Sequence, residues 1–113
     1  KEKISIENTL TIVDDLALPI SKLRLRASGS DAGHNGLKDI QLMIATDQYP
    51  KLRFGIGNNF SKGMQAEFVL SKWLPAEQLI VNKKIDKCIE VIESFAAIGL
   101  ERTMNTVNNL SFA

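Results

Sequence analysis

The feature that most constrains the fold is a short apolar run, LTIV at residues 10–13, which is followed directly by Asp14 and Asp15. Apolar and β-branched residues without polar alternation are typical of a parallel strand that is buried on both faces. We therefore predict a strand at residues 10–13, inside a sheet with cover on both sides. Its carboxyl end would present the two carboxylates, Asp14 and Asp15.

Two further strands are predicted from the pattern of side chains. Residues 22–26 alternate basic and apolar, so a strand there would turn its leucines to one face and Lys22, Arg24 and Arg26 to the other. LRFGIG at residues 52–57 predicts a third strand, and its glycines indicate a bulge or a close approach of backbone.

Helical spacing is clearest in residues 75–98, with Pro75 in the first turn and Gly99 as a stop signal. Its apolar stripe is predicted at positions 79, 80, 85, 88, 89, 92 and 95, with the charged residues, Lys84 among them, mostly off the stripe. Other helices are predicted from residue 37 to about residue 46 behind an Asn35 cap, at 64–72 and at about 101–109.

The order strand, strand, helix, strand, helices is that of an α/β protein. A chain of 113 residues allows one domain, spanning 1–113. Three short strands make a small sheet, because a typical sheet has about five or six strands. We therefore expect a sheet with flanking helices that is incomplete at its N-terminal side, with strands missing before Lys1.

Composition excludes several classes of protein. The 14 basic and 13 acidic residues leave a net charge of +1, so the chain is not a generally basic nucleic-acid coat. Its one cysteine, Cys88, excludes a disulfide framework and suits the reducing cytoplasm. No apolar run approaches the ~20 residues that cross a bilayer, so no membrane contact is expected.

The first candidate site is the pair Asp14 and Asp15 at a strand end. In open α/β sheets ligands bind at the carboxyl ends of strands, where paired carboxylates could hold a metal or orient a histidine base. The alternative is an ordinary turn after a strand, where aspartate is common.

A second candidate is the loop GHNG at residues 33–36, which contains the chain's only histidine, His34. Small residues let a ligand approach the backbone, and the N-terminus of the following helix suits a phosphate or a developing oxyanion. The alternative is a glycine-rich loop with an exposed histidine and a capping Asn35.

The third candidate is the basic stripe of Lys22, Arg24 and Arg26. Residues 16–30 contain these three cations and no acidic residue. Such a face could neutralise phosphates. The alternative is an edge strand whose cations block aggregation.

Three stretches together resemble bacterial peptidyl-tRNA hydrolases: IVDDLALP at residues 12–19, GSDAGHNGLKDI at 29–40 and LRFGIG at 52–57. The resemblance implies one α/β domain around a mixed, twisted sheet. It implies hydrolysis of the ester that joins a peptide to the 3′ end of tRNA, which recycles the tRNA. It also implies a cytoplasmic monomer that works without metal or cofactor.

The resemblance also implies roles for individual residues. Asp14 would orient a catalytic histidine that activates water, while Asn35 would contact the 3′ end of the substrate with His34 at the same site. Arg26 and Arg53 would hold tRNA phosphate, helped by Arg24 and Lys62.

The family's histidine motif, Gly-Asn-Pro-Gly followed by Thr-Arg-His-Asn, is not found in this sequence. The chain is therefore expected to be the C-terminal portion of such an enzyme, and inactive alone because the general base is outside it. A different class of function, a non-enzymatic RNA-binding relative with the same fold, is the alternative.

Overall fold

The computed structural model describes residues 5–30, 34–58, 67, 69 and 72–112. A 3₁₀ turn, Ile6–Asn8, precedes strand β1, Thr11–Asp15, and strand β2, Leu23–Arg26. Helix α1, Asn35–Ile44, leads to strand β3, Lys51–Gly55, and helices α2, Pro75–Ile98, and α3, Leu100–Val107, follow. The predicted helix at 64–72 lies mostly outside the described residues; Glu67 and Val69 are helical.

The three strands form a mixed sheet in the order β1-β3-β2, with β1 parallel and β2 antiparallel to β3. The prediction of a parallel strand near residues 10–13 is confirmed, although the strand extends to include both aspartates. The expected cover on both faces is wrong for Ile12, which is 47% exposed, whereas Val13 is buried. Among the described residues no strand pairs with the outer edge of β1. The outer edge of β2 is met by Asn108, whose side chain binds both the N–H and the C=O of Leu25, at 2.7 and 2.9 Å.

One face of the sheet is apolar and is closed by α2 and α3. The predicted alternation in β2 is confirmed: Leu23 and Leu25 are buried, whereas Arg24 and Arg26 are exposed. The core on this face consists of side chains from β2, β3 and the two helices: Leu23, Leu25, Leu52, Cys88, Val91 and Val107.

The other face is covered by α1 only at the β1 side. There Val13, Leu37 and Tyr49 form a second, smaller core. Register places Val13, Arg53 and Arg24 side by side across this face. We call it the basic face, because Arg24, Arg26, Lys51 and Arg53 all lie on it.

The predicted apolar stripe of α2 is wrong for most of its positions. The residues that α2 buries are Val81, Lys84, Cys88 and Val91, spaced by three or four. Leu79, Ile85, Ile89 and Ile92 are between 45% and 66% exposed. The sheet and α3 contact the side of α2 centred on Cys88, and none of the described elements covers the neighbouring isoleucines.

Close approach of backbone at Gly55 is confirmed. A Cβ atom on Gly55 would overlap the carbonyl oxygen of Pro19. The loop after β1 therefore crosses directly over the end of β3, where Gly57 N–H donates to the Leu18 carbonyl at 3.0 Å and Ile56 N–H to the Asp15 carbonyl at 3.1 Å.

Candidate functional site

Asp14 and His34 meet at the carboxyl end of β1. The Nε2 atom of His34 lies 2.9 Å from Oδ1 of Asp14. Both side chains remain accessible, at 29% for His34 and 43% for Asp14. The sequence names these residues from separate stretches, and the fold brings them into direct contact because α1 begins beside the end of β1.

His34, and not Asn35, caps helix α1. The Leu37 N–H donates to Nδ1 of His34 at 3.2 Å, which is the bond that an N-cap side chain provides. The prediction of an Asn35 cap is therefore wrong by one residue, because the imidazole reaches the position that the shorter amide was expected to fill. Asn35 is the first residue of α1 and is exposed next to His34.

The two aspartates have separate partners. Successive residues of a strand point to opposite faces, and Asp15 lies on the basic face, where Oδ2 is 3.5 Å from a guanidinium nitrogen of Arg53. Oδ1 of Asp15 also accepts from the Ala17 N–H at 2.8 Å. Asp14 thus contacts His34 and Asp15 is the counter-ion of Arg53, so the two carboxylates are not a pair aimed at one ligand.

Arg53 is largely buried, with 9% exposure, and its guanidinium also donates to the carbonyl of Ser30 at 2.6 Å. It therefore ties the loop before α1 to the end of β1, close to the Asp14–His34 contact. Register places Arg53 beside Arg24 on β2. Its predicted phosphate contact stays a prediction.

Arg24 and Arg26 are exposed on the basic face, as the alternation indicates. Arg26 lies in register with Lys51, a lysine that the sequence reading did not single out. Lys51 is buried, donates to the carbonyls of Asp47 and Tyr49 at 2.9 and 3.2 Å, and lies 3.6 Å from the centre of the Tyr49 ring. Burial, and secondarily the charge of Arg53, lowers the pKa of Lys51.

Lys84 supports the site end of the sheet from the other face. Its side chain is fully buried, and its ammonium donates to the carbonyls of Ile20 and Gly55, both at 2.7 Å. The same nitrogen lies 3.9 Å from the centre of the Phe54 ring. Burial lowers the pKa of Lys84 to about 8. Lys84 holds the loop after β1 against the end of β3, and its place in the helical pattern did not reveal that role.

The remaining predicted site residue, Lys62, lies outside the described residues. Within the described ranges, no group of three or more histidine, cysteine, aspartate or glutamate side chains is placed to hold a metal ion. Likewise, no helix in that part of the chain is both long and apolar enough to cross a membrane.

Comparison with known proteins identifies the family. The family described as peptidyl-tRNA hydrolase matches residues 1–113. The peptidyl-tRNA hydrolase of Parabacteroides distasonis is 50% identical to this chain over 109 residues, and that of Bacteroides fragilis is 47% identical over 108. Each alignment covers 96% of this chain and 58% of the relative. The chain thus spans little more than half the length of these relatives.

The fold is similar to that of solved members. The crystal structure of peptidyl-tRNA hydrolase from Acinetobacter baumannii matches with a TM-score of 0.83 and 31% identity, covering 92% of this chain and 53% of that one. A second structure, peptidyl-tRNA hydrolase in complex with N-propanol, matches with the same score, identity and coverage. The chain belongs to the peptidyl-tRNA hydrolase family.

Proposed function

We propose that this chain is the C-terminal portion of a peptidyl-tRNA hydrolase, and that it contributes the base-orienting carboxylate and a tRNA-binding face. The reaction is hydrolysis of the ester between a peptide and the 3′ end of tRNA. The observation that carries the proposal is the Asp14–His34 contact, 2.9 Å long, at the start of α1 in a chain that the family matches throughout.

Asp14 has the chemistry and the access that an orienting carboxylate needs. Its Oδ1 is bound to His34, and Oδ2 has no partner among the described residues. A carboxylate that accepts a hydrogen bond from an imidazole N–H fixes the tautomer of that ring and stabilises its protonated form. Asp14 would act in this way on the histidine that takes a proton from the attacking water. In the resemblance, that histidine belongs to a motif that this sequence does not contain, so the base would come from outside the chain.

The N-terminus of α1 supplies the second part of the site. Unpaired backbone N–H groups at a helix start favour developing negative charge, such as the oxyanion formed when water attacks the ester carbonyl. Asn35 is exposed at this point and would contact the 3′ end of the substrate.

The basic face would hold the tRNA backbone. Arg24 and Arg26 are exposed on β2, and the guanidinium of Arg53 lies in the same cross-strand row as Arg24. Each phosphate that a cation neutralises releases counterions and makes binding depend on salt. Arg53 would then act with part of its guanidinium already bound to Asp15 and Ser30. Lys62, which lies outside the described residues, would assist.

Family membership supports the other parts of the proposal: a cytoplasmic enzyme that is monomeric and needs no metal or cofactor. The relatives reported above are all named as the hydrolase, so the non-enzymatic RNA-binding alternative gains no support from them.

The test is hydrolysis of peptidyl-tRNA by the complete protein and its Asp14→Asn variant. The variant keeps the shape of the side chain and removes its charge, so kcat should fall by about 10²–10⁴-fold with little change in KM. Asp39→Asn removes an exposed charge from α1 and is the matched control, which should behave as the unmodified protein. Equal kcat for Asp14→Asn and the control would contradict the proposal.

A further inference from the structure

The ring of His34 has both nitrogen atoms engaged, and each contact has a direction. The Leu37 N–H can only donate, so Nδ1 of His34, 3.2 Å away, is the acceptor and carries no proton. A neutral imidazole with an unprotonated Nδ1 carries its proton on Nε2, which lies 2.9 Å from the Asp14 carboxylate.

The ring is also held in place by the residue two positions later. A Cβ atom on Gly36 would lie 2.9 Å from Cε1 and 3.2 Å from Nδ1 of His34. Such distances are shorter than normal contact, so the second glycine of the loop leaves the space in which the ring lies. The cap, the carboxylate and this space together determine one orientation and one tautomer of His34.

A ring with these two bonds is badly suited to act as a base. Its Nε2 is already protonated, and its Nδ1 would have to give up the cap of α1 before it could take a proton from water. The same bonds suit a different role, because an N–H that is fixed in direction fixes in turn the carboxylate that accepts it.

We propose that His34 is a positioning residue, which donates from Nε2 to Oδ1 of Asp14 and leaves Oδ2 for the base of the complete enzyme. This inference rests on the proposed function, since it assigns His34 a role in the same reaction. Helix α1 thereby becomes a support for Asp14: the helix start fixes the tautomer of His34, and His34 fixes the carboxylate.

The first test is the tautomer itself, measured by long-range ¹H–¹⁵N NMR of the imidazole in the 113-residue chain, where His34 is the only histidine. A neutral ring with the proton on Nε2 is expected. Asp14→Asn should shift the Nε2 signal because the acceptor loses its charge, and Asp39→Asn should leave it unchanged. A proton on Nδ1, or a ring that averages between tautomers, would overturn the inference whether or not the enzyme is active.

Two substitutions separate the cap from the carboxylate contact. Asn is a good N-cap but too short to reach Asp14, whereas Gln can place an N–H near the position of Nε2 and caps poorly. In the complete protein, His34→Asn should lower kcat by about 10–100-fold with little effect on KM, as expected for a loosened catalytic geometry. His34→Gln should keep kcat within about threefold, and its melting temperature should fall more than that of His34→Asn.

Loss of kcat that is as large for Gln as for Asn, together with loss of the acid limb of the pH–rate profile, would show that His34 is the base and would overturn the inference. Failure of the proposed function has a different signature, because Asp14→Asn would then leave hydrolysis intact while the NMR result stood.

Discussion

The two faces of the sheet are built on different principles. On the apolar face, Leu23, Leu25 and Leu52 pack against α2 and α3, and their contacts are non-directional. On the basic face, the buried side chains include Arg53 and Lys51, and each is held by particular oxygen atoms. The core of the apolar face depends mainly on the area that is buried, whereas the basic face depends on which carbonyl or carboxylate oxygen accepts from each buried cation.

The two faces stabilise the fold in different ways. Burial of apolar area stabilises the fold in proportion to the area removed from water. A buried cation contributes only while its partners stay in place, because an unpaired buried charge is costly. Arg53 forms its bonds with Asp15 and Ser30. The contacts that compensate for its burial therefore also hold the loop that leads to His34.

The largest predicted effect concerns Gly55, where the two faces meet under the loop after β1. Gly55→Ala would force Cβ into the Pro19 carbonyl, and the free energy of unfolding should fall by more than about 4 kcal/mol because backbone must move. Gly57→Ala is the control: it has open space but a φ of 74°, so a loss of about 1–2 kcal/mol is expected. Urea denaturation of both variants checks the difference, and equal losses would contradict it.

The next effect compares neighbouring residues of β2 that point to opposite faces. Leu25→Ala should lower the free energy of unfolding by about 2–5 kcal/mol, because Leu25 is fully buried in the core. Arg24→Ala, on the exposed side, should leave it nearly unchanged. Chemical denaturation at one pH measures both. A larger loss for Arg24→Ala than for Leu25→Ala would reverse the assignment of the faces.

A smaller effect comes from Lys84, the one fully buried cation that the described part of α2 places on the apolar face. Burial lowers its pKa from 10.5 to about 8, so the unfolded state binds more protons between these values. The free energy of unfolding should therefore rise from about pH 8 to 10.5, by at most about 3 kcal/mol. Below about pH 8 the folded state bears the full cost of the buried charge.

The Lys84 prediction is measured as the difference between the unmodified chain and Lys84→Met. The difference matters because burial raises the pKa of the Cys88 thiol, which makes stability fall at alkaline pH in both proteins. If the two pH profiles run parallel, Lys84 does not titrate in this range.

Much of the fold could be predicted from local pattern. The strands are within two residues of their predicted bounds, and the alternation in β2 correctly divides its leucines from its arginines. The pattern failed on α2, where Ile85, Ile89 and Ile92 are exposed and Lys84 is buried. A lysine looks like a surface residue in a sequence, and only the assembled fold brings the Ile20 and Gly55 carbonyls within its reach.

The residues of the candidate site could be named from the sequence, but the contacts between them could not. The family resemblance names Asp14, His34 and Asn35, which the structure places at one end of the sheet. It does not indicate that His34 caps α1, or that Asp15 belongs to Arg53. The Asp14–His34 and Asp15–Arg53 pairs are separated by 20 and 38 residues, and the cap depends on helix-start geometry, so no spacing rule could supply these contacts.

The central claim is that the exposed cations of the basic face bind tRNA, whereas exposed cations elsewhere on the chain do not. The most direct measurement is the salt dependence of tRNA binding for Arg24→Ala/Arg26→Ala, compared with Lys83→Ala/Arg102→Ala, which removes two exposed cations elsewhere. The first variant should bind more weakly, with a slope of log K against log salt that is flatter by roughly 1–2. The second should match the unmodified chain. Equal affinities and equal slopes for the two variants would contradict the claim.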